Sequence, residues 1–245
     1  YYFLTTDTPG GMRWLAGELR DAGVELRLAT PFQHAERECD GWNVRDVGST
    51  RFLVGADGAK SRVAERAGLG RVRDFLYGVE YEFDGLRLAQ ANALHCFLSK
   101  SFAPGYIGWA AQGPTGVQVG LAARHRGTHA TTPDAEAFLR HVAPCIGIDA
   151  ERKPDAVRAG LVPCGGPIQR IAADNVILTG DAAGIVSPLT AGGIHSAWKH
   201  GWAVGEAIAR RLRHDGPPPE QVAQQVAPNY RTKRWLRRAF DTLQA

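Results

Sequence analysis

Hydrophobic residues recur along the chain with two periods, and each period predicts one type of element. Over residues 10–22 apolar side chains return at helical spacing and Gly23 follows as a C-terminal stop, so this segment predicts a helix. Alternation of apolar and polar positions predicts a strand over 24–32. Two further strands are predicted over 42–47 and 50–56, and the second ends in the apolar run of a buried strand.

Short alternating segments fill the middle of the chain. They occupy residues 78–83, 94–99, 106–111 and 116–123. Their spacing predicts an antiparallel sheet with short turns, and a helix is predicted after it over 132–147.

The last third of the chain combines a buried strand with long helices. Residues 175–184 read NVILTGDAAG, which predicts a buried strand that runs into a glycine-flanked turn. A long helix is predicted over 192–215. The prolines at 217–219 separate it from a second predicted helix over 220–243.

The composition is that of a soluble globular protein. Of the 245 residues 44% are hydrophobic and 22% are charged, which is enough apolar surface for one large domain or two small ones. No apolar stretch reaches the roughly 18 residues of a membrane-spanning helix. The four cysteines are scattered without a CxxC pair, as in proteins of a reducing compartment, so a cytoplasmic location is predicted.

The net charge of +4 is carried by the C-terminal tail. Residues 231–245 hold five basic side chains and one acidic one, so the rest of the chain is neutral. A neutral body argues against a nucleic-acid partner. A metal site is not predicted either, because the only group of ligand-type residues falls in one predicted hairpin without a second cluster. These residues are His34, Glu36, Glu38 and Cys39.

Residues 53–63 (LVGADGAKSRV) contain the first candidate site. A strand delivers Asp57 and Gly58 to its C-terminal end, and Ser61 is placed to cap the helix that follows. Glycine lets a ligand approach the backbone closely, and a carboxylate accepts hydrogen bonds from hydroxyl groups. A plain strand-to-helix turn accounts for the same pattern, because Asp-Gly is common in turns.

Residues 176–197 contain the second candidate site. A strand, Gly180-Asp181, a turn of small residues, Gly192-Gly193 and a helix follow in this order. Ligands of α/β sheets bind outside the carboxyl ends of the strands, and helix N-termini hold negative charge. Asp181 could accept a hydrogen bond from a ribityl hydroxyl, and the first amides of the helix could stabilise a reduced, anionic isoalloxazine. The alternative is a tight turn in which Asp181 caps the helix.

With these two motifs the chain resembles the flavin-dependent oxidoreductases of the geranylgeranyl reductase family, within the larger p-hydroxybenzoate-hydroxylase-like fold. The GADG…S segment resembles the second dinucleotide motif of that fold, and TGDAAG…SPLTAGGI resembles its flavin-binding Gly-Asp motif. The resemblance implies an α/β protein: an FAD/NAD(P)-binding dinucleotide fold with an inserted antiparallel-sheet substrate region and C-terminal helices. The predicted boundaries are 1–70 and 165–215 for the FAD-binding region, 71–164 for the substrate region and 216–245 for the C-terminal helix.

The resemblance also implies roles for individual residues. Asp57 and Gly58 would lie near the diphosphate side of FAD, Asp181 near its ribityl or phosphate region, and Phe32 near its adenine. Gly193 and Ile194 would contact the isoalloxazine through their backbone. The predicted cofactor-binding set is therefore Phe32, Asp57, Gly58, Gly180, Asp181, Gly192, Gly193 and Ile194. The predicted substrate contacts are Tyr106 and Trp109, in a partial match to the reductases' Tyr-x-Trp-x-Phe-Pro-Lys run, and His195 at the helix start, where packing is the alternative role.

The sequence departs from the family pattern at its front. No GxGxxG fingerprint occurs in it, and Thr8 lies near the place of the arginine that usually precedes the first helix. The chain opens at Tyr1, and its one methionine is Met12. An upstream segment that completes the ADP-binding element is therefore expected.

The activity that the resemblance implies is flavin-mediated redox chemistry. Reduced FAD would pass hydride to a carbon–carbon double bond of a small hydrophobic, isoprenoid-like substrate, and NAD(P)H or a ferredoxin-like donor would reduce the flavin again. Two alternatives stay open: a flavin-dependent monooxygenase or halogenase of the same fold, and a non-catalytic fragment of a flavoprotein. The C-terminal helix carries aromatic residues beside a basic face, which predicts peripheral membrane contact, with packing on the flavin domain as its alternative.

Overall fold

A computed structural model of the protein describes residues 5–125 and 132–244, with side chains as far as residue 242. The helices of these residues are α1 (Thr8–Asp21), α2 (Arg62–Arg66), α3 (Ala135–Ile146), α4 (Ile194–Leu212), α5 (Pro219–Val226) and α6 (Arg231–Gln244). The strands are β1 (Ala35–Glu38), β2 (Gly41–Val44), β3 (Gly48–Thr50), β4 (Leu53–Gly55), β5 (Phe75–Asp84), β6 (His95–Phe97), β7 (Gly108–Gln112), β8 (Gly116–His125), β9 (Ala156–Pro163), β10 (Ala172–Ala173) and β11 (Val176–Leu178). The predicted α/β class, with an antiparallel sheet and C-terminal helices, is confirmed.

The chain divides into two compact units. The first is drawn from the described residues of Tyr1–Thr30, Tyr77–Gly160 and Gln244–Ala245, and the second from Pro31–Leu76 and Leu161–Leu243. The first unit holds the antiparallel sheet, and the second holds the two strands that carry the candidate motifs.

The two ends of the chain belong to other compact units than the predicted region boundaries suggest. The residues before α1 line a small cavity together with residues of β5 and β8, so the N-terminal segment clusters with the sheet although it was predicted within region 1–70. Helix α1 itself buries none of its residues. Helix α5 contacts β10 and β11, so the C-terminal helices cluster with the second unit rather than apart from it. Which unit binds which ligand stays a prediction.

The five-stranded sheet of the first unit has the strand order β6-β7-β8-β5-β9. One of its faces packs on α3 around Phe138. Gly108 lies on this face, where a Cβ atom would come 2.2 Å from the Phe138 ring. Because side chains alternate along a strand, the next residue, Trp109, lies on the opposite face.

The second unit is built around a parallel strand pair. Strand β4 pairs with β11 in parallel, and β10 joins the other edge of β11 as an antiparallel strand. All three residues of β11 are completely buried, as predicted for the apolar run within 175–184. Parallel strands end at the same edge of a sheet, so the segments that follow β4 and β11 emerge side by side.

A three-stranded antiparallel sheet, β1-β2-β3, completes the second unit. Buried Trp42 ties it to the turn before β11, because its indole Nε1 donates to the Asp174 carbonyl oxygen at 2.8 Å. The hairpin that carries His34 to Cys39 is largely exposed. Within residues 5–125 and 132–244 no three His, Cys, Asp or Glu side chains are grouped as a metal ion would require.

Three predicted elements differ from the structure. The strand predicted over 50–56 is divided between the end of β3 and β4, which belong to different sheets. Residues 24–32 form no strand, because the alternating pattern finds no neighbouring strand among the described residues, and Leu28 is 75% exposed. The predicted helix over 220–243 is two helices, α5 and α6. Ala227 is extended because it precedes Pro228, whose ring disfavours a helical residue before it.

The helices show no candidate for a transmembrane span. In the part of the chain that the structure describes, none is both long enough and apolar enough to cross a membrane.

Buried His200 links α4 to two neighbouring elements. Its Nδ1 lies 2.9 Å from the Thr179 hydroxyl, and its Nε2 lies 3.1 Å from the Ala223 carbonyl oxygen. A carbonyl only accepts, so Nε2 carries the proton and Nδ1 accepts from Thr179. Burial lowers the pKa of His200 because the charged imidazolium is poorly solvated there, and the bond to Ala223 opposes this only in part.

We expect this histidine to make the fold less stable in acid. Its folded pKa lies below the unfolded value of about 6.5, so the stability it supports is present above that pH. The stability is lost as the pH falls toward the folded pKa, by at most about 1.4 kcal/mol per pH unit for one proton. His200→Gln should flatten the dependence of the urea midpoint on pH between about pH 7 and 5. His214→Asn replaces an exposed histidine and should leave the dependence of the urea midpoint on pH unchanged. The same pH dependence in wild type and His200→Gln would contradict the role assigned to His200.

Candidate cofactor site

The ends of β4 and β11 bring the two sequence motifs to one edge of the parallel pair. Gly55, the last residue of β4, is the register partner of Leu178, the last residue of β11. A Cβ atom on Gly55 would come 2.6 Å from the Leu178 side chain, so glycine is needed there. The Thr179 amide donates to the Gly55 carbonyl at 2.9 Å, so the chains stay paired as they leave the sheet. Asp57 and Asp181 follow shortly after.

The Asp57 carboxylate is occupied by its own segment. Its Oδ2 accepts from the backbone amides of Arg62 at 2.7 Å and Val63 at 3.1 Å. Its Oδ1 accepts from the Ser61 hydroxyl, whose oxygen in turn accepts from the Ala64 amide at 2.9 Å. Ser61 is therefore the N-cap of α2, as predicted, and Asp57 reinforces it. A role of Asp57 toward a cofactor stays a prediction.

The turn after β11 depends on two glycines. Gly180 has φ +56° and Gly184 has φ +71°, a region that side chains rarely adopt. A Cβ atom on Gly184 would come 2.6 Å from the Gly166 carbonyl oxygen. A Cβ atom on Gly180 would lie 3.5 Å from that of Ala197 in the first turns of α4. The backbone of this turn therefore lies against the beginning of α4.

The Asp181 carboxylate lies in this turn and has no hydrogen-bond partner among the described residues. The side chain is half-buried. Desolvation raises the pKa of this carboxyl above its usual value. The carboxylate is not among the fully buried polar atoms that lack a partner, so a ligand that brings a donor would replace water and add a charge-assisted hydrogen bond here.

Helix α4 begins beside the same turn with its first amides uncapped. Its N-cap is Gly193, which offers no side-chain hydrogen bond. The preceding loop folds back on itself, because the Ser187 amide donates to the Gly192 carbonyl at 3.0 Å. Since α4 is 19 residues long, its N-terminal amides carry partial positive charge. This end can hold an electron-rich group.

The sequence matches the profile of one protein family, described as FAD binding domain, over residues 12–220. The match covers more than half of the chain and includes both candidate motifs. The chain belongs to this FAD-binding family.

This FAD-binding chain is similar in sequence to known reductases, which confirms the predicted resemblance. It is 30% identical to the digeranylgeranylglycerophospholipid reductase of Methanocaldococcus jannaschii, over 82% of this chain and 54% of that protein. It is 32% identical to digeranylgeranylglycerophospholipid reductase 1 of Methanothermobacter thermautotrophicus, over 80% of this chain and 51% of that protein. The chain thus spans about half the length of these curated relatives.

Solved structures share the fold of this FAD-binding chain. A geranylgeranyl bacteriochlorophyll reductase-like protein of Thermoplasma acidophilum superposes with a TM-score of 0.76 at 18% identity, over 94% of this chain and 64% of that one. A probable FAD-dependent monooxygenase of Pseudomonas aeruginosa gives a TM-score of 0.61 at 22% identity, over 94% and 66%. The predicted flavoprotein fold is confirmed.

The remaining predicted site residues fall in both units. Phe32 is half-buried against the core of the second unit, and Gly58 has φ +83° in the turn after β4. His195 is exposed in the first turn of α4. Tyr106 and Trp109 belong to the first unit. Contacts of these residues with a cofactor or substrate stay predictions.

Two residues that shape these segments were not singled out from the sequence. Gly184 fixes the turn around Asp181, and its signal is the second glycine of GDAAG. Glu80 accepts a hydrogen bond from the indole Nε1 of Trp109 at 2.8 Å. No sequence signal pairs these two residues, because they meet only through the order of the strands.

We predict that Asp57→Ala destabilises the protein even without a cofactor. Three donors lose their acceptor at the start of α2, so the free energy of unfolding should fall by about 1–2 kcal/mol. Urea unfolding measures the change. Asp215→Ala, which removes an exposed carboxylate without a hydrogen bond in the described part of the chain, should change it by less than about 0.5 kcal/mol. Equal effects of the two substitutions would show that Asp57 is not a cap.

Proposed function

We propose that the protein is an FAD-dependent oxidoreductase that reduces carbon–carbon double bonds of a hydrophobic, isoprenoid-like substrate. Asp181 carries the cofactor assignment. Its half-buried carboxylate, at the carboxyl edge of a parallel strand pair, accepts no hydrogen bond from the part of the chain that the structure describes, and it lies beside a helix start without a side-chain cap. Membership of the FAD-binding family supports the choice of cofactor. The names of the related reductases support the class of substrate.

The residues at this strand edge fit FAD. Asp181 would accept a hydrogen bond from a ribityl hydroxyl, and that bond would offset the cost of burying the carboxylate. The first amides of α4 would stabilise negative charge on the flavin ring. Gly192 keeps the approach open, since a Cβ atom there would meet only the Thr190 hydroxyl, at 3.4 Å. When bound, FAD supplies the hydride-transfer chemistry.

The chain's own residues would bind and orient the reactants. Saturation of one double bond adds a hydride and a proton to its two carbons, and NAD(P)H or a ferredoxin-like protein would supply the electrons. Tyr106 and Trp109 of the sheet unit would give a hydrocarbon chain apolar contacts. His195 would lie at the helix start beside the ring.

Anaerobic reoxidation of reduced flavin tests the activity. The full-length protein is loaded with FAD, reduced with dithionite and mixed with geranylgeraniol in detergent. We expect the flavin to reoxidise as the alcohol gains hydrogen at its double bonds, because no other oxidant is present. If the flavin stays reduced and NAD(P)H is instead consumed rapidly with oxygen and an aromatic substrate, the protein is a monooxygenase. A full-length protein that binds no FAD under any condition would be a non-catalytic relative.

Asp181→Ala should weaken FAD binding by roughly 10- to 150-fold, the effect of losing one hydrogen bond to a charged group. Quenching of flavin fluorescence on titration gives the affinity. Asp215→Ala is the matched control, because it removes the same charge from an exposed position of the same unit. Unchanged affinity of the Asp181 variant would mean that this carboxylate serves the turn alone.

Peripheral membrane contact through α6 is a separate part of the proposal. The helix leaves Trp235 67% exposed and Leu236 39% exposed. Arg237 does not contribute to the basic face of this helix, because it is buried in an ion pair with Asp241 at 3.0 Å. The exposed basic residues of α6 are Arg231, Lys233 and Arg238. An exposed tryptophan among basic side chains is typical of a helix that lies at an anionic lipid surface.

We predict that the protein sediments with phosphatidylserine vesicles at low salt and less with neutral vesicles. Each basic side chain near the surface contributes about 1 kcal/mol, so replacing Arg231, Lys233 and Arg238 with Gln should abolish the preference. Replacing exposed Arg13, Arg20 and Arg51 with Gln removes the same charge elsewhere and should preserve it. Equal sedimentation with anionic and neutral vesicles at low salt would contradict the membrane role.

A further inference from the structure

The indole of Trp109 lies across glycines on the sheet face opposite α3. Gly120, its register partner on β8, has no side chain, and a Cβ atom there would come 2.5 Å from the indole Cζ2. A Cβ atom on Gly78 of β5 would lie 4.0 Å from the indole Cη2. The ring therefore spans β8 from β7 toward β5, in space that any larger residue at position 120 would take.

Glu80 holds the nitrogen edge of this ring. The carboxylate Oε2 accepts from the indole Nε1 at 2.8 Å, across two strand intervals. Burial raises the pKa of Glu80, and the bond from Trp109 opposes that rise. Glu80 is only partly exposed and forms no ion pair with the described residues, so surface solvation alone does not explain a carboxyl at this position. Its neighbour Glu82 does form an ion pair, with Arg158 at 2.7 Å.

We propose that Glu80 is a positioning residue that fixes the Trp109 indole across β8, so that the ring forms a rigid apolar surface for the isoprenoid chain of the substrate. This inference rests on the proposed function for the identity of the ligand. A ring that is held at its Cβ attachment and at Nε1 loses little freedom when a hydrocarbon packs on it, so the substrate binds more tightly than it would to a mobile ring. Glu80 acts through Trp109, so its removal should weaken substrate binding and leave the flavin unaffected.

Indole NMR combined with substrate affinity tests the proposal. The six tryptophans give separate ¹H–¹⁵N indole signals, and Trp109→Phe identifies the one from Trp109. Geranylgeraniol in detergent is the probe, and its dissociation constant is read from the shift of that signal and, independently, from the concentration dependence of flavin reoxidation. Glu80→Leu removes the acceptor, Glu80→Gln keeps a neutral one, and Glu82→Gln is the control on the same strand.

In Glu80→Leu we expect the Trp109 signal to move and broaden, and the dissociation constant of the probe to rise roughly tenfold. Glu80→Gln should restore most of the wild-type signal position and most of the wild-type affinity for the probe. Glu82→Gln should match wild type in both measurements. The proposal is overturned if the Trp109 signal moves in Glu80→Leu while this variant binds the probe with wild-type affinity. It is also overturned if the Trp109 signal of the wild type does not shift when the probe is added. Failure of the proposed function is distinct, because then the wild-type flavin is not reoxidised by the probe at all.

Discussion

The parallel pairing of β4 with β11 is the constraint on which the candidate site depends. The two strands are distant in sequence, and the complete burial of β11 leaves its backbone groups to be satisfied by neighbouring strands. Because parallel strands end at one edge, the pairing places the turn after Gly55 beside the turn after Leu178. The fit tolerates no side chain at Gly55, which the Leu178 side chain approaches. Packing in the core therefore fixes the position of the segments that carry Asp57 and Asp181.

Asp57 and Asp181 follow the two strands at this edge, but their carboxylates differ in their hydrogen bonds. Asp57 accepts from two amides and a hydroxyl, so its charge is satisfied by the start of α2. Asp181 is half-buried, accepts from none of the described residues and has a raised pKa. A ligand gains little from a carboxylate whose hydrogen bonds are already made by the protein, and it gains more from a partly desolvated carboxylate that is still open to a donor. The physical argument for a cofactor therefore rests on Asp181, and Asp57 supports it by shaping the edge.

The sequence predicts those parts of the site at the ends of β4 and β11 whose structure depends on local residues alone. The apolar run before Gly180, the helix that follows Gly193 and the cap at Ser61 depend on local periodicity and capping chemistry, and all three are present. The strand over 24–32 failed because alternation needs a partner strand, which the pattern does not supply. The saturation of Asp57 and the bond between Glu80 and Trp109 lay beyond prediction, because each depends on a three-dimensional arrangement that sequence spacing leaves open.

A crystal structure of the protein with FAD tests the central claim most directly. The account predicts that a carboxylate oxygen of Asp181 lies within about 3 Å of a hydroxyl of the cofactor's ribityl chain. It also predicts that the flavin ring lies against the first amides of α4. An ordered FAD whose hydroxyls all lie beyond hydrogen-bond distance of Asp181 would contradict the account, however tightly the cofactor is bound.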